Sequence, residues 1–178
     1  MNLYDKTEQF IVKAFGKNEH EIFYAKRTAY WIKELKAGAD EALLIAGLAH
    51  DIERAIYGDW KNGSNKPLSL RKHQDMSAVE IEKFLKKEKA ADDLIERVKY
   101  LIAYHEEGGD KDQNILCDAD CLAYFEEKAL RNAKKYKQIG KIDEMNKKLE
   151  YVFSRIKSLK AKMIAKKWYK QAQDILSR

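Results

Sequence analysis

The residues of this chain best suited to chemistry are its four histidines and the aspartate that follows one of them. His50 is followed directly by Asp51, and the pair ends an eight-residue apolar run, residues 42–49. His105 falls on the apolar stripe of a predicted amphipathic helix. An imidazole or carboxylate that points into an apolar interior is costly unless it is paired or binds a metal. The pattern therefore predicts that these groups have a buried partner, either a counter-charge or a metal ion.

A second acidic segment lies downstream, in residues 115–125. There Asp120 stands in an Ala-Asp-Cys-Leu setting, two residues after Asp118. Residues two apart point to opposite sides of a helix, so these two carboxylates are not expected to bind one ion. In chain order the candidates are His20, His50, Asp51, His73, His105 and Asp120.

This order, with its apolar surroundings, closely resembles the HD-domain superfamily of metal-dependent phosphohydrolases over about residues 18–126. The resemblance selects Asp120 as the ligand and leaves Asp118 to begin the helix or to support a ligand. Many members of the superfamily also carry an arginine three residues after the first histidine. Here that position holds a phenylalanine; the nearest arginine is Arg27, and Tyr24 lies one turn after His20.

The resemblance implies a first divalent ion held by four ligands: His20, His50, Asp51 and Asp120. Manganese, iron, magnesium and zinc all suit this donor set. For His73 and His105 two roles stay open. They bind a second ion, with Asp51 as a bridge, or one of them is the general acid for the leaving oxygen while the other contacts the substrate phosphate. A bound ion lowers the pKa of a coordinated water and polarises a phosphoryl oxygen, and Asp51 would orient that water.

Several cations are candidates for binding an anionic substrate: Arg54, Arg27, Lys72 and Lys66. Arg54 is preferred because it follows the His-Asp pair by one turn, and arginine suits bidentate phosphate binding. Glu106 and Glu107 could orient His105 or bind a second ion. The histidines also have ordinary structural interpretations, namely a surface or capping position for His20, an exposed one for His73 and a hydrogen-bonded core position for His105.

The elements that must position these residues are all predicted helices. The expected spans are about 4–16, 18–35, 40–57, 69–88, 91–107 and 114 into the 130s, with one or two more between 141 and 176. The fold expected is all-α, a compact bundle of about seven or eight helices of the HD-domain type. Residues 1–178 form one domain, with the metal-site core at about 18–126. The longest loop is residues 58–68. Trp60, inside 58–65, is a candidate for a substrate role, because loops over a rigid site often act as lids.

Composition excludes several other classes. One proline and eight glycines argue against an all-β fold, and the two cysteines give no disulfide framework, which favours the cytoplasm. The longest apolar run is too short to span a membrane. Residues 131–178 hold fifteen Lys/Arg and four Asp/Glu, a net +11, which leaves −5 for residues 1–130. These basic helices would attract an anionic surface, or they are a solvated helix face.

The predicted function is metal-dependent hydrolysis of a small phosphate ester or anhydride, nucleotide-like in character. Its partner is then a small phosphorylated substrate, with one or two divalent ions as cofactor. Two alternatives remain. One is an HD-type diiron oxygenase, and the other is a non-catalytic protein that binds a ligand or nucleic acid through residues 131–178. The pattern contains no signal for oligomeric state.

Overall fold

The computed structural model describes residues 1–58, 60 and 66–177, and over these the chain is all-α. Its helices are α1 (Leu3–Phe15), α2 (Glu19–Leu35), α3 (Glu41–Ala49), α4 (Glu53–Tyr57), α5 (Pro67–Lys87), α6 (Asp92–Ile102), α7 (Lys111–Ala123), α8 (Leu130–Gln138), α9 (Ile142–Arg155) and α10 (Leu159–Ser177). A π-helical turn, Tyr124–Ala129, joins α7 to α8 without a break. With α7–α8 counted as one helix and the five-residue α4 set aside, eight helices remain among the described residues, as predicted. None of the described helices is long and apolar enough to cross a membrane.

Helix α3 is the centre of the bundle. It packs against α1, α2, α6 and α7, and almost all of its residues are buried. The side chain of Asp40 caps its first turn by accepting a hydrogen bond from the Leu43 backbone N–H. A helix with no polar side belongs in the interior, so the prediction made from residues 42–49 is confirmed.

Two predicted helices are shorter than expected, and in each case a histidine lies in the turn that follows. The helix predicted over 40–57 stops at Ala49, and α4 starts only at Glu53. The helix predicted over 91–107 stops at Ile102, so His105 lies in the turn that follows. In both turns the histidine ring nitrogen Nδ1 lies within hydrogen-bond distance of a carbonyl oxygen near the helix end. The ring therefore satisfies a carbonyl that a longer helix would have bonded internally.

The close approach of α2 and α3 depends on Gly47. A Cβ at this position would lie 2.4 Å from Ile32 Cδ1 and 3.3 Å from the Ala29 backbone. The Gly47→Ala variant is expected to be destabilised by about 1–3 kcal/mol, because overpacking outweighs the better helix propensity of alanine. Urea unfolding measures this change, and a more stable variant would show that α3 can shift without loss.

Candidate metal centre

Three buried imidazoles and one carboxylate meet where α3, α5 and the turn after α6 come together. Ligand atoms of Asp51, His73 and His105 all lie within 4.8 Å of one another. His73 Nε2 is 2.9 Å and His105 Nε2 4.0 Å from Asp51 Oδ1, and His50 Nε2 is 3.9 Å from Asp51 Oδ2. The three rings are at most 1% exposed. The structure therefore brings these four predicted residues together, and His73 is buried rather than at the surface.

In each histidine, the contact made by Nδ1 fixes the orientation of the ring, so that Nε2 faces the cluster. In His50 and His105, Nδ1 lies 3.0 and 2.8 Å from the carbonyl oxygen three residues earlier. A carbonyl oxygen can only accept, so Nδ1 must carry the hydrogen. His73 Nδ1 contacts Oε1 of Glu53. The other oxygen of that carboxylate, Oε2, accepts a hydrogen bond from the Ser77 hydroxyl. In a neutral ring this leaves the lone pair on Nε2, directed at the cluster.

None of the three Nε2 atoms has a hydrogen-bond partner among the described residues. Even the 2.9 Å contact of His73 Nε2 with Asp51 misses hydrogen-bond geometry. A buried polar atom without a partner is unfavourable, and three of them around one carboxylate require an explanation. A divalent cation could bind the lone pairs of His73 and His105 together with the Asp51 carboxylate, whose ligand atoms all lie within 4.8 Å of one another. The residues present therefore fit a metal ion.

Asp120 faces the cluster from α7 but already has partners on both oxygens. Its Oδ1 accepts a hydrogen bond from the Tyr24 hydroxyl and lies 3.3 Å from His50 Nε2. Its Oδ2 lies 2.8 Å from Arg155 Nη2. Asp120 is thus in the predicted place, with a cation beside it that the sequence did not reveal.

Arg155 is a site residue that sequence reasoning missed. It lies at the end of α9 and donates to the backbone carbonyls of His105 and Glu106 as well as to the Asp120 carboxylate. It also pairs with the Glu106 carboxylate at 3.1 Å. One guanidinium therefore fixes the turn that carries His105 relative to α7. No motif in residues 127–178 could have identified it, because its partners are 35 or more positions away.

The carboxylates of the cluster are held ionised by the cations around them. Burial alone would raise the pKa of the Asp51 carboxyl, but Arg54, His50 and His73 hold it well below its usual range. Arg54 Nη2 lies 2.9 Å from Asp51 Oδ2, so Arg54 is at the site as predicted. Burial likewise opposes ionisation of Asp120, and Arg155 and His50 keep its pKa well below the usual range.

The imidazoles differ in protonation. Burial lowers the pKa of His73, but Asp51 and Glu53 outweigh it and raise this pKa to about 9. Burial, with the neighbouring His50 and His73, holds the pKa of His105 well below its usual value. At neutral pH the metal-free cluster therefore has a protonated His73 and a neutral His105.

This difference gives a pH prediction. A metal ligand must be deprotonated, so metal binding at pH 7.5 is expected to release about one proton, from His73. The apparent metal affinity should then rise about tenfold per pH unit from pH 7 towards 9 and level off above the His73 pKa. Titration calorimetry in two buffers of different ionisation enthalpy counts the proton. Binding without proton release would show that His73 is not a ligand.

His20 is not brought to the cluster, which corrects the prediction that it is a ligand. Its side chain is 63% exposed, and Nδ1 lies 2.8 Å from Glu127 Oε1. The side chain that α2 directs at the cluster is Tyr24, one turn later. Arg27 follows Tyr24 by three residues, the spacing expected after the first histidine of the motif. That spacing was the signal in the sequence that could have directed attention to Tyr24.

Other predicted residues also lie elsewhere. Arg27 forms a bidentate pair with Glu126, and Lys72 is exposed over the Trp60 ring, so neither points into the cluster. Asp118 accepts hydrogen bonds from backbone N–H groups of residues 157 and 158, which places it at the start of α10 rather than at the start of its own helix. Residues 59 and 61–65 of the predicted loop lie outside the described residues.

The fold and site together define an all-α protein with a buried histidine–carboxylate cluster that could bind a metal. Residues 4–173 match the model of a family described as a domain of unknown function, DUF4202, and the chain belongs to this family. Neither the curated proteins nor the solved structures give a significant match.

Proposed function

We propose that this protein is a metal-dependent phosphohydrolase that acts on a small, nucleotide-like phosphate ester or anhydride. The observation that carries the proposal is the set of three buried Nε2 atoms without hydrogen-bond partners around Asp51. The order of His50, Asp51, His73, His105 and Asp120, which resembles the HD-domain superfamily, supports the same reaction class.

Asp51, His73 and His105 would hold the ion, because their ligand atoms form the tightest group. A divalent ion bound there would lower the pKa of a coordinated water and polarise a phosphoryl oxygen. Arg54 keeps the Asp51 carboxylate ionised and oriented. His50 is the imidazole left for the leaving oxygen, and it would donate a proton from Nε2. Burial opposes this protonation, but Asp51 and Asp120 outweigh it and raise the pKa of His50, as a general acid requires.

The charge balance supports one ion rather than two. The network joins five carboxylates, Glu21, Asp51, Glu53, Glu106 and Asp120. It includes three cations, Arg54, Lys128 and Arg155. With His50 protonated and the ligand imidazoles of His73 and His105 neutral, one negative charge remains, which a single divalent ion more than balances. A second ion would need Asp120, whose oxygens already face Arg155 and Tyr24.

A two-histidine, one-carboxylate set also suits iron enzymes that activate oxygen. Metal content and oxygen consumption must therefore be measured beside phosphatase activity. Iron with oxygen uptake and no phosphate release would favour the oxygenase.

The test separates ligands from the general acid. The full chain is loaded with manganese, iron, zinc or magnesium, and metal content and phosphate release from nucleotides are measured. His73→Gln and His105→Gln should lose the ion and the activity, whereas His50→Gln should keep the ion and lose turnover. His20→Gln is the matched control and should change neither. No bound metal in the unmodified chain after reloading would contradict the proposal.

A further inference from the structure

Two cations share one carboxylate at the edge of the metal centre. Lys128 Nζ lies 2.9 Å from both oxygens of Glu21. Arg54 Nη1 lies 4.0 Å from Glu21 Oε2, while its Nη2 contacts Asp51 at 2.9 Å. The chain of charges Lys128, Glu21, Arg54 and Asp51 therefore leads from the outer part of the bundle to the predicted metal ligands.

Lys128 is an unusual lysine because it is only 8% exposed. Its Nζ lies 3.6 Å from the centre of the Tyr24 ring, and Tyr24 contacts the cluster through its hydroxyl. Lys128 belongs to the π-helical turn between α7 and α8, and π-turns occur often at functional sites. Lysine is among the residues least often buried unless paired. A buried lysine beside a candidate active site therefore calls for a specific role.

The Arg54 guanidinium does not make all the hydrogen bonds that it could donate. Its Nε is buried and has no hydrogen-bond partner among the described residues. At 4.0 Å its contact with Glu21 is longer than a hydrogen bond. Glu21 thus satisfies Lys128 and leaves donors of Arg54 open. Arg54 also pairs with Asp51 at 2.9 Å and lies 3.9 Å from Glu53, so a further anion could contact both cations only by taking the place of Glu21.

We propose that Arg54 and Lys128 form the subsite that binds the terminal phosphate of the substrate, and that Glu21 occupies this subsite until the phosphate replaces it. The inference rests on the proposed function and adds a substrate class, a phosphate monoester dianion rather than a diester. Arginine offers a bidentate fork and lysine a point charge, the pairing that phosphate recognition uses. A dianion carries more charge than the Glu21 carboxylate, so it would compete for the two cations better than a monoanionic diester.

The experiment measures phosphate binding, so it does not depend on turnover. Inorganic phosphate, methyl phosphate and dimethyl phosphate are titrated onto the full chain, both metal-loaded and chelator-treated. Glu21→Gln should bind inorganic phosphate and methyl phosphate at least about tenfold more tightly, since the competing charge is gone. Lys128→Met should bind them at least about tenfold more weakly. Dimethyl phosphate, a monoanion, should bind more weakly than methyl phosphate.

Matched controls keep the result interpretable. Glu19→Gln changes an exposed acid in the same turn of α2, and Lys135→Met changes an exposed lysine in α8. Both should bind phosphate like the unmodified chain. Circular dichroism establishes that each variant is folded. If Lys128→Met does not fold, Glu21→Gln alone decides the outcome, because it keeps the shape of the side chain.

The inference is overturned if Glu21→Gln gains no phosphate affinity over Glu19→Gln, or if dimethyl phosphate binds as well as methyl phosphate. Its failure is distinguishable from failure of the metal centre. A chain that binds metal through His73 and His105 but shows no response at Glu21 keeps the proposed function and loses this subsite. Phosphate binding that follows the expected pattern in a chain that never binds metal supports the subsite and contradicts the hydrolase.

Discussion

Asp51→Asn is expected to remove metal binding and, with it, activity. The Asp51 carboxylate is the group that His73, His105 and Arg54 share. Loss of a supporting residue near a metal typically weakens affinity about 10–100-fold, so loss of this ligand should weaken it by at least about 100-fold. Elemental analysis and metal titration of the purified variant measure the effect.

The same variant should also change stability, because Arg54 loses the carboxylate at 2.9 Å. Removing one partner of a buried pair costs about 3–5 kcal/mol, and the partial exposure of Arg54 places the expected loss near the lower value. The control is Asp75→Asn, an exposed acid on α5 that pairs with Arg71. It should shift stability by less than about 1 kcal/mol and leave metal content unchanged. Full metal occupancy in Asp51→Asn would place the ion elsewhere.

Arg155→Met is the second variant with a large expected effect. It leaves the carboxylates of Asp120 and Glu106 without the guanidinium they share and frees the turn that carries His105. We expect a loss of about 3–5 kcal/mol in the free energy of unfolding. Metal affinity should fall about 10–100-fold, since Arg155 supports the ligands without being one. Urea unfolding and metal titration measure the two effects separately.

Arg131→Met is the matched control for Arg155→Met. Arg131 is a half-exposed arginine of α8 whose pair with Glu127 spans 3.7 Å, and its loss should change stability by less than about 1 kcal/mol. Arg155→Lys should recover part of the stability but not the full set of contacts, because lysine lacks the planar fork. If Arg155→Met behaved like Arg131→Met, the C-terminal helices would have no part in the site.

The helices and most of the cluster followed from the sequence. The apolar run before His50 predicted a central helix, and α3 is buried on almost all sides. The low proline content and the 3.6-residue periodicity predicted an all-α chain. The resemblance of the order of His50, Asp51, His73, His105 and Asp120 to the HD-domain superfamily predicted side chains that the structure brings together. The helices depend on local periodicity and on residue type, which the sequence contains directly, whereas the grouping of the five side chains was predicted only through that resemblance.

Tertiary structure decided the remaining features, because they depend on contacts between distant segments. The choice of Tyr24 over His20 follows from which face of α2 packs on α7. Glu53 and Arg155 are site residues because the fold brings them to His73 and Asp120, 20 and 35 positions away. No spacing rule covers such separations. The sequence by itself determined which helices form and which residues are chemically suited to bind a metal. Only the packing of the helices determined which of these side chains meet, and which charged residues lie beside them.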